Sequence, residues 1–298
     1  RGGLMITGEA LSGKSFFMEY VARHLLEGPS FHIQPPRGGS MAPRALQRAF
    51  EQAIGHRGSI DSLLEDLPQG SVLMLDDIEL WWLRQREGDR PLDVLIDTVR
   101  RFSDQHIFLL TANLDALKQL RAHSAIDRAL LTTIILSPLS PEDLRDTLWA
   151  RHKTGGVPLR FERRAEQELD KQEWLALAGQ IHKRSGGNVG ASLWQWLRQI
   201  DGADNGRFRF QSEGRSPDFP DLQDKRWYYV LLQLYLHKSL SPRRFQRLFV
   251  SEPTEDITAW VESLHKAGVL KPEMGEALEL HPLLPYRLGR LLREKGWL

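Results

Sequence analysis

Eight residues near the start of the chain, Gly8-Glu-Ala-Leu-Ser-Gly13-Lys14-Ser15, have types and spacing suited to holding a polyphosphate. Glycines at both ends of the loop let the backbone wrap tightly, so that successive N–H groups converge on one anion. The helix expected to follow adds its positive N-terminal dipole. Lys14 has the reach to meet the outer phosphates, and the Ser15 hydroxyl is suited to ligating Mg2+. Gly8, Glu9, Ala10, Leu11, Ser12, Gly13, Lys14, Ser15 and Phe16 are therefore the expected nucleotide contacts, with ATP and Mg2+ as cofactors. The competing reading is a glycine-rich turn with a solvated lysine. The strand before the loop and the helix after it weigh against that.

Further along, Val72-Leu-Met-Leu75-Asp76-Asp77 is an apolar strand that ends in two carboxylates. Many strands end in Asp as a helix cap, but after a phosphate loop this order matches a Walker B segment. Asp76 is the expected Mg2+ ligand, and Asp77 the group that polarises an attacking water. Glu79 is a rival for that second role. The next apolar run ends Leu109-Leu110-Thr111-Ala112-Asn113. Asn113, with Thr111 close behind, is the expected contact to the water or γ-phosphate; the alternative is that Asn113 only caps the next helix. Arg128, in Ala125-Ile-Asp-Arg-Ala-Leu, is either an arginine finger for a neighbouring subunit's nucleotide or a surface residue paired with Asp127.

The elements that must position these groups follow from apolar periodicity. Strands are predicted at 3–8, around Phe31–Ile33, and at 71–75, 106–111 and 132–136. Helices are predicted between them at 14–27, 43–54, 60–67, 91–103 and 114–122. Alternating strands and helices specify an α/β fold, a three-layer αβα parallel sheet. After Ser137-Pro138 the pattern turns helical, at 141–152, 162–184 and 189–200, which reads as an all-α lid. Residues 202–224, rich in Gly, Asp, Ser and Pro, read as a linker in which Phe208–Phe210 forms at most a short strand. The remainder reads as a winged helix-turn-helix: helices at 226–237, from Pro242 to about 249, at 254–266 and at 283–295. A hairpin is expected from Val269-Leu270 through a turn near Met274-Gly275 to Leu278–Leu280. The expected domains are thus 1–138, 139–201, 202–224 and 225–298. No internal repeat is visible.

The order of phosphate loop, Asp-Asp strand end, polar strand end, late arginine and helical lid resembles AAA+ ATPases and the related STAND NTPases. The segments Ser137-Pro-Leu-Ser-Pro-Glu-Asp-Leu and Arg184-Ser-Gly-Gly-Asn188 are similar to the lid of their origin-recognition and STAND branches. The resemblance covers residues 1 to about 200, and a winged helix after such a lid is similar to both branches. It implies ATP hydrolysis and nucleotide-dependent homo-oligomerisation. Val189 stands where STAND lids carry proline, and Asn188 where typical AAA+ lids place an arginine.

Lys plus Arg (40) nearly balances Asp plus Glu (39), so nothing global draws the chain to nucleic acid. The predicted recognition helix carries Glu252, Glu255, Asp256 and Glu262 against Lys266, which phosphates would repel. Positive charge lies instead at Arg243, Arg244 and Arg247, and at Arg287, Arg290, Arg293 and Lys295. The favoured expectation is a regulatory switch whose winged helix or lid contacts a protein partner or inhibits its own chain. A DNA-associated ATPase is the alternative. Trp194, Trp196 and Leu197 are expected in the lid core, and one of Trp81 and Trp82 near the nucleotide or a subunit contact. With no cysteine there is no disulfide or thiolate chemistry, and the ten histidines have no metal-ligand spacing, so zinc is not expected. No apolar run spans a bilayer, and a cytoplasmic setting is expected. Because the first strand begins almost at Arg1, the chain is expected to be a piece of a longer protein, with any membrane tether upstream.

Overall fold

The computed structural model describes residues 2–84, 90–161, 164–204, 207–211, 224–271, 277–282 and 284–298. The chain forms two compact units. One comprises Arg1–Ala10, Lys14–Leu136 and Leu222–Leu298; the other comprises Leu11–Gly13 and Ser137–Asp221.

The first unit is built on a parallel sheet of β1 (Gly3–Gly8), β2 (Ser30–Ile33), β3 (Val72–Leu75), β4 (Ile107–Asn113) and β5 (Leu130–Leu136), in the order β2-β3-β4-β1-β5. All four residues of β3 are buried because successive side chains enter opposite layers. Leu73 and Leu75 join Met5 and Leu110 in one layer with Phe50 and Leu95. Val72 and Met74 join Ile6 and Leu109 in the other with Met18 and Ala22. The helices that supply these partners are α1 (Lys14–His24), α2 (Pro43–Ile54) and α4 (Arg90–Phe102); α3 (Ile60–Glu65) and α5 (Leu114–His123) complete the layers. The three-layer αβα arrangement is the expected one. Each fully buried Leu or Ile contributes roughly 1.5–3 kcal/mol of transfer free energy. Trp81 and Trp82 depart from expectation: both are buried, in and after the 3-10 turn Ile78–Trp81.

The second unit contains α6 (Pro141–Gly155), α7 (Lys171–Ser185) and α8 (Val189–Arg198). Beside them lies a small sheet of β6 (Leu159–Phe161), β7 (Arg164–Ala165), β8 (Ile200–Asp204) and β9 (Arg207–Phe210), in the order β7-β6-β9-β8. This sheet corrects the expectation of an all-helical lid and of a linker beginning at 202. Phe161, Phe208 and Phe210 pack with Trp174 and Trp196, so a segment polar in composition is held by its aromatic residues. The helix expected from 162 starts only at Lys171. There Asp170 and Glu173 form a capping box, with bonds of 2.8 and 3.0 Å, that fixes the N-terminus. Trp196 is core as expected, whereas Trp194 and Leu197 are exposed. Asn188 caps α8 by accepting from the Ala191 amide (3.0 Å). The loop tip Leu11–Gly13 belongs to this unit, where the Gly190 amide donates to the Leu11 carbonyl (2.9 Å).

Residues 224–298 rejoin the first unit as α9 (Lys225–His237), β10 (Ser239–Leu240), α10 (Pro242–Leu248), α11 (Thr254–Lys266), β11 (Leu278–Glu279) and α12 (Pro285–Glu294). β10 pairs antiparallel with β11, and Leu270 bridges Leu280. The expected turn at Met274-Gly275 lies outside the described residues. Polar contacts tie this segment to the sheet domain. The loop after β2 receives the Arg244 guanidinium on the Gly38 carbonyl (2.6 Å), and Arg244 also donates to the Trp82 carbonyl. The Ser241 amide donates to Gly38 as well (3.1 Å). Buried Asp115, on α5, accepts from Tyr235 (3.0 Å), Arg293 (3.2 Å) and Lys118 (2.9 Å).

Gly38 and Gly39 both have positive φ, and a Cβ on Gly39 would stand 2.5 Å from the Leu80 carbonyl oxygen and inside the Arg244 guanidinium. Gly39→Ala should therefore cost more than about 1 kcal/mol of stability, measured by urea denaturation; an unchanged midpoint would mean that this junction does not hold the winged helix.

Candidate active site

β1 delivers Gly8 and α1 begins at Lys14, so the phosphate loop sits between strand and helix as its chemistry requires. Lys14 is 9% exposed, and its ammonium donates to the carbonyls of Glu9 (2.9 Å) and Gly8 (3.3 Å). Burial pushes its pKa down, while Glu79, Asp77 and Asp76 oppose that shift and Lys238 adds to it. Ser15 is half-buried and Phe16 exposed.

β3 and β4 are neighbours in the sheet, and this brings the two acidic and polar strand ends together. Thr111 donates to the Asp76 carboxylate, and its hydroxyl accepts from the Asp77 amide (2.8 Å). The Asp77 amide also donates to Asp76 (3.1 Å). Thr111 thus fixes the Asp76 carboxylate and the Asp77 backbone. Asn113 is used otherwise: its side chain accepts from the amides of Asp115 (2.9 Å) and Ala116 (3.4 Å) as the cap of α5. Arg128 is exposed in the 3-10 turn Ile126–Ala129, and Asp127 pairs with Arg121 (2.8 Å) instead.

Two cations from the winged helix also reach this region. Lys238, directly after α9, ion-pairs with Asp77. Burial opposes its charge, but Asp77, then Glu79 and Asp76, outweigh that and raise its pKa. Arg293 on α12 pairs with Glu9 of the phosphate loop (2.8 Å). Sequence reading counts Arg293 only as part of a basic surface and gives Lys238 no role. Among the described residues, three non-glycine residues have positive φ: Leu11 (66°), Asp77 (50°) and Lys238 (56°). All three lie in the phosphate loop or in this ion pair. Such backbone is strained and concentrates where a fold is organised for function.

Glu79 is the most perturbed acid of the group. It is 1% exposed; Oε1 accepts from the Asn113 amide (3.1 Å), and Oε2 has no partner among the described residues. Desolvation, reinforced by Asp77, raises its pKa to about 7, against the pull of Lys238 and Lys14.

These residues suit a magnesium nucleotide. Mg2+ is ordinarily held by one or two carboxylates together with substrate phosphates, not by a full protein cage. One carboxylate fixed by Thr111 beside a buried, desolvated lysine is a donor set of that kind. Among the described residues no cluster of three or more His, Asp or Glu offers an independent metal site.

The chain thus has a parallel three-layer αβα sheet domain with the expected phosphate loop between its first strand and first helix. Two solved structures share that fold. The Aeropyrum pernix ORC1 protein in complex with DNA aligns with a TM-score of 0.51 and 14% identity, covering 99% of this chain and 87% of that one. The Aeropyrum pernix ORC2 protein, in ADPNP–ADP complexes, aligns with a TM-score of 0.53 and 12% identity, covering 99% and 89%. At such identities the likeness is one of fold alone. No family model and no curated protein matches the chain. No helix among the described residues is long and apolar enough to cross a membrane.

The Glu79 shift has a thermodynamic consequence. Between pH 4.5 and about 7 the folded chain retains a proton that the unfolded chain has released, so stability falls as pH rises through that window. Glu79→Gln should remove this slope and exceed the parent in stability at pH 8, by up to about 3 kcal/mol. Urea midpoints at pH 5 and pH 8 measure it; the same slope in both chains would place the titrating group elsewhere.

Proposed function

We propose that this chain is an ATP-binding and ATP-hydrolysing switch of the AAA+ type, in which the winged helix restrains the hydrolytic carboxylate of its own chain. The observation that carries this reading is the ion pair of Lys238 with Asp77, joined by that of Arg293 with Glu9. Adenine nucleotide as the ligand is supported by the solved ORC2 complexes with ADPNP and ADP.

In this reading the phosphate-loop amides and Lys14 would hold the polyphosphate, and Ser15 and Asp76 would hold Mg2+, which supplies charge neutralisation at the phosphates when bound. Lys14 exchanges the carbonyls of Gly8 and Glu9 for phosphate oxygens. Thr111 holds Asp76 in place. Asp77 accepts a hydrogen bond from the attacking water and orients it. While Lys238 occupies Asp77 that carboxylate is a poor acceptor, so hydrolysis is slow until the winged helix shifts. Nucleotide state and winged-helix position are then coupled, and the coupling acts equally in both directions. Exposed Arg128 is available to a second copy's nucleotide, consistent with assembly in the ATP-bound state.

Lys14→Ala should abolish ATP binding in calorimetry, and Asp77→Asn should keep binding while losing turnover. Lys238→Ala should raise turnover by about two- to fivefold, the value of one partly exposed ion pair. A slower or unchanged rate in Lys238→Ala would refute the restraint, and normal turnover in Asp77→Asn would remove Asp77 from the chemistry.

DNA association is the second reading, favoured by the DNA complex of the similar ORC1 protein. Against it, α11 exposes Glu255, Asp256 and Glu262, and Arg244 is 5% exposed with its guanidinium spent on carbonyls. A mobility shift that weakens steeply between 50 and 200 mM salt would favour DNA.

A further inference from the structure

A cavity of about 440 Å3, distinct from the phosphate loop, opens between the loop after β2, the start of α4 and α10. Arg90, Arg243, Arg244 and Arg247 line it together with Ser40 and Ser241, and among the described residues no carboxylate does. Its volume is that of a metabolite-sized binding site.

Among the described residues no acid pairs with the charge in this cavity. Arg244 is 5% exposed, yet among the described residues no acid pairs with it. Its terminal nitrogens donate to two carbonyls, and its Nε is buried without a partner. Desolvation lowers its pKa to about 10. A buried guanidinium without an anion is costly, and proteins ordinarily pair such charges. Arg90, Arg243 and Arg247 likewise form no ion pair among the described residues; Arg247 only approaches the Met41 sulfur (3.9 Å). The α2 N-terminus adjoins the lining residue Ala42, whose side chain supplies no cap. Guanidinium forks converging with hydroxyls match phosphate oxygens in geometry and charge.

We propose that this cavity binds a small phosphorylated ligand, its phosphate or pyrophosphate group held by Arg90, Arg243 and Arg247 beside the buried charge of Arg244. A ligand there bridges α10 to the start of α4 and the loop after β2, and so favours the docked winged helix. The site does not depend on the function proposed for the phosphate loop.

The test uses the full chain carrying Lys14→Ala, which disables the phosphate loop. Pyrophosphate and adenosine 5′-monophosphate are titrated calorimetrically at 0.15 M NaCl, and their relative affinities separate an inorganic from a nucleotide source. Arg90→Ala and Arg243→Ala, on exposed residues of two different elements, should each weaken binding at least about tenfold, as the loss of a charged hydrogen bond implies. Matched circular dichroism and melting confirm their folding. No heat from either ligand, or equal affinity in parent and both arginine variants, would overturn the proposal. So would a 20-base-pair duplex that displaces pyrophosphate and loses affinity in the same variants, since the arginines would then be a nucleic-acid surface.

Discussion

Charge balance around Lys14 governs the structure. Three carboxylates, Asp76, Asp77 and Glu79, act on this one buried ammonium. The winged helix supplies a second cation through Lys238. Two lysines against three acids still leave one negative charge in excess, and Glu79, fully buried, relieves it by titrating near neutrality. Position of the winged helix and protonation of Glu79 are therefore two answers to one electrostatic demand. In the proposed switch, a bound magnesium polyphosphate would change that demand and so bear on a helix more than two hundred residues away in sequence.

The remaining contacts between winged helix and sheet domain serve the same end. Asp115 collects Tyr235, Arg293 and Lys118, and burial, which alone would raise its pKa, is outweighed by Lys118 and Arg293. Arg244 fills the space left by Gly39, and the His237 ring lies 5.0 Å from that of Trp82. These anchors surround the 3-10 turn that carries Glu79, so the turn, the acid and the adjoining α9 form one packed body.

Much of this was legible in the sequence, and the limits have physical causes. Local signals placed the five strands, the phosphate loop and the Asp-Asp strand end, because buried parallel strands and tight glycine turns leave strong patterns. Ser140, Ser241 and Asn188 cap α6, α10 and α8. The small sheet of the second unit was hidden because its strands are two to five residues long and polar in composition. Lys238 was invisible for another reason: the contact it makes, across 161 residues, is set by how α9 docks, and no local periodicity encodes docking. Asn113 shows the opposite case, where the modest local reading as a cap describes what its side chain does.

Asp77 and Lys238 both hold backbone angles that side-chain-bearing residues avoid. Conformations of this kind cost on the order of 1–3 kcal/mol each, whereas a partly exposed ion pair returns at most about 1 kcal/mol. The pair cannot keep itself together; surrounding packing must hold both ends under tension. In the proposed switch, a slackening of α9 would relieve both strained backbones together.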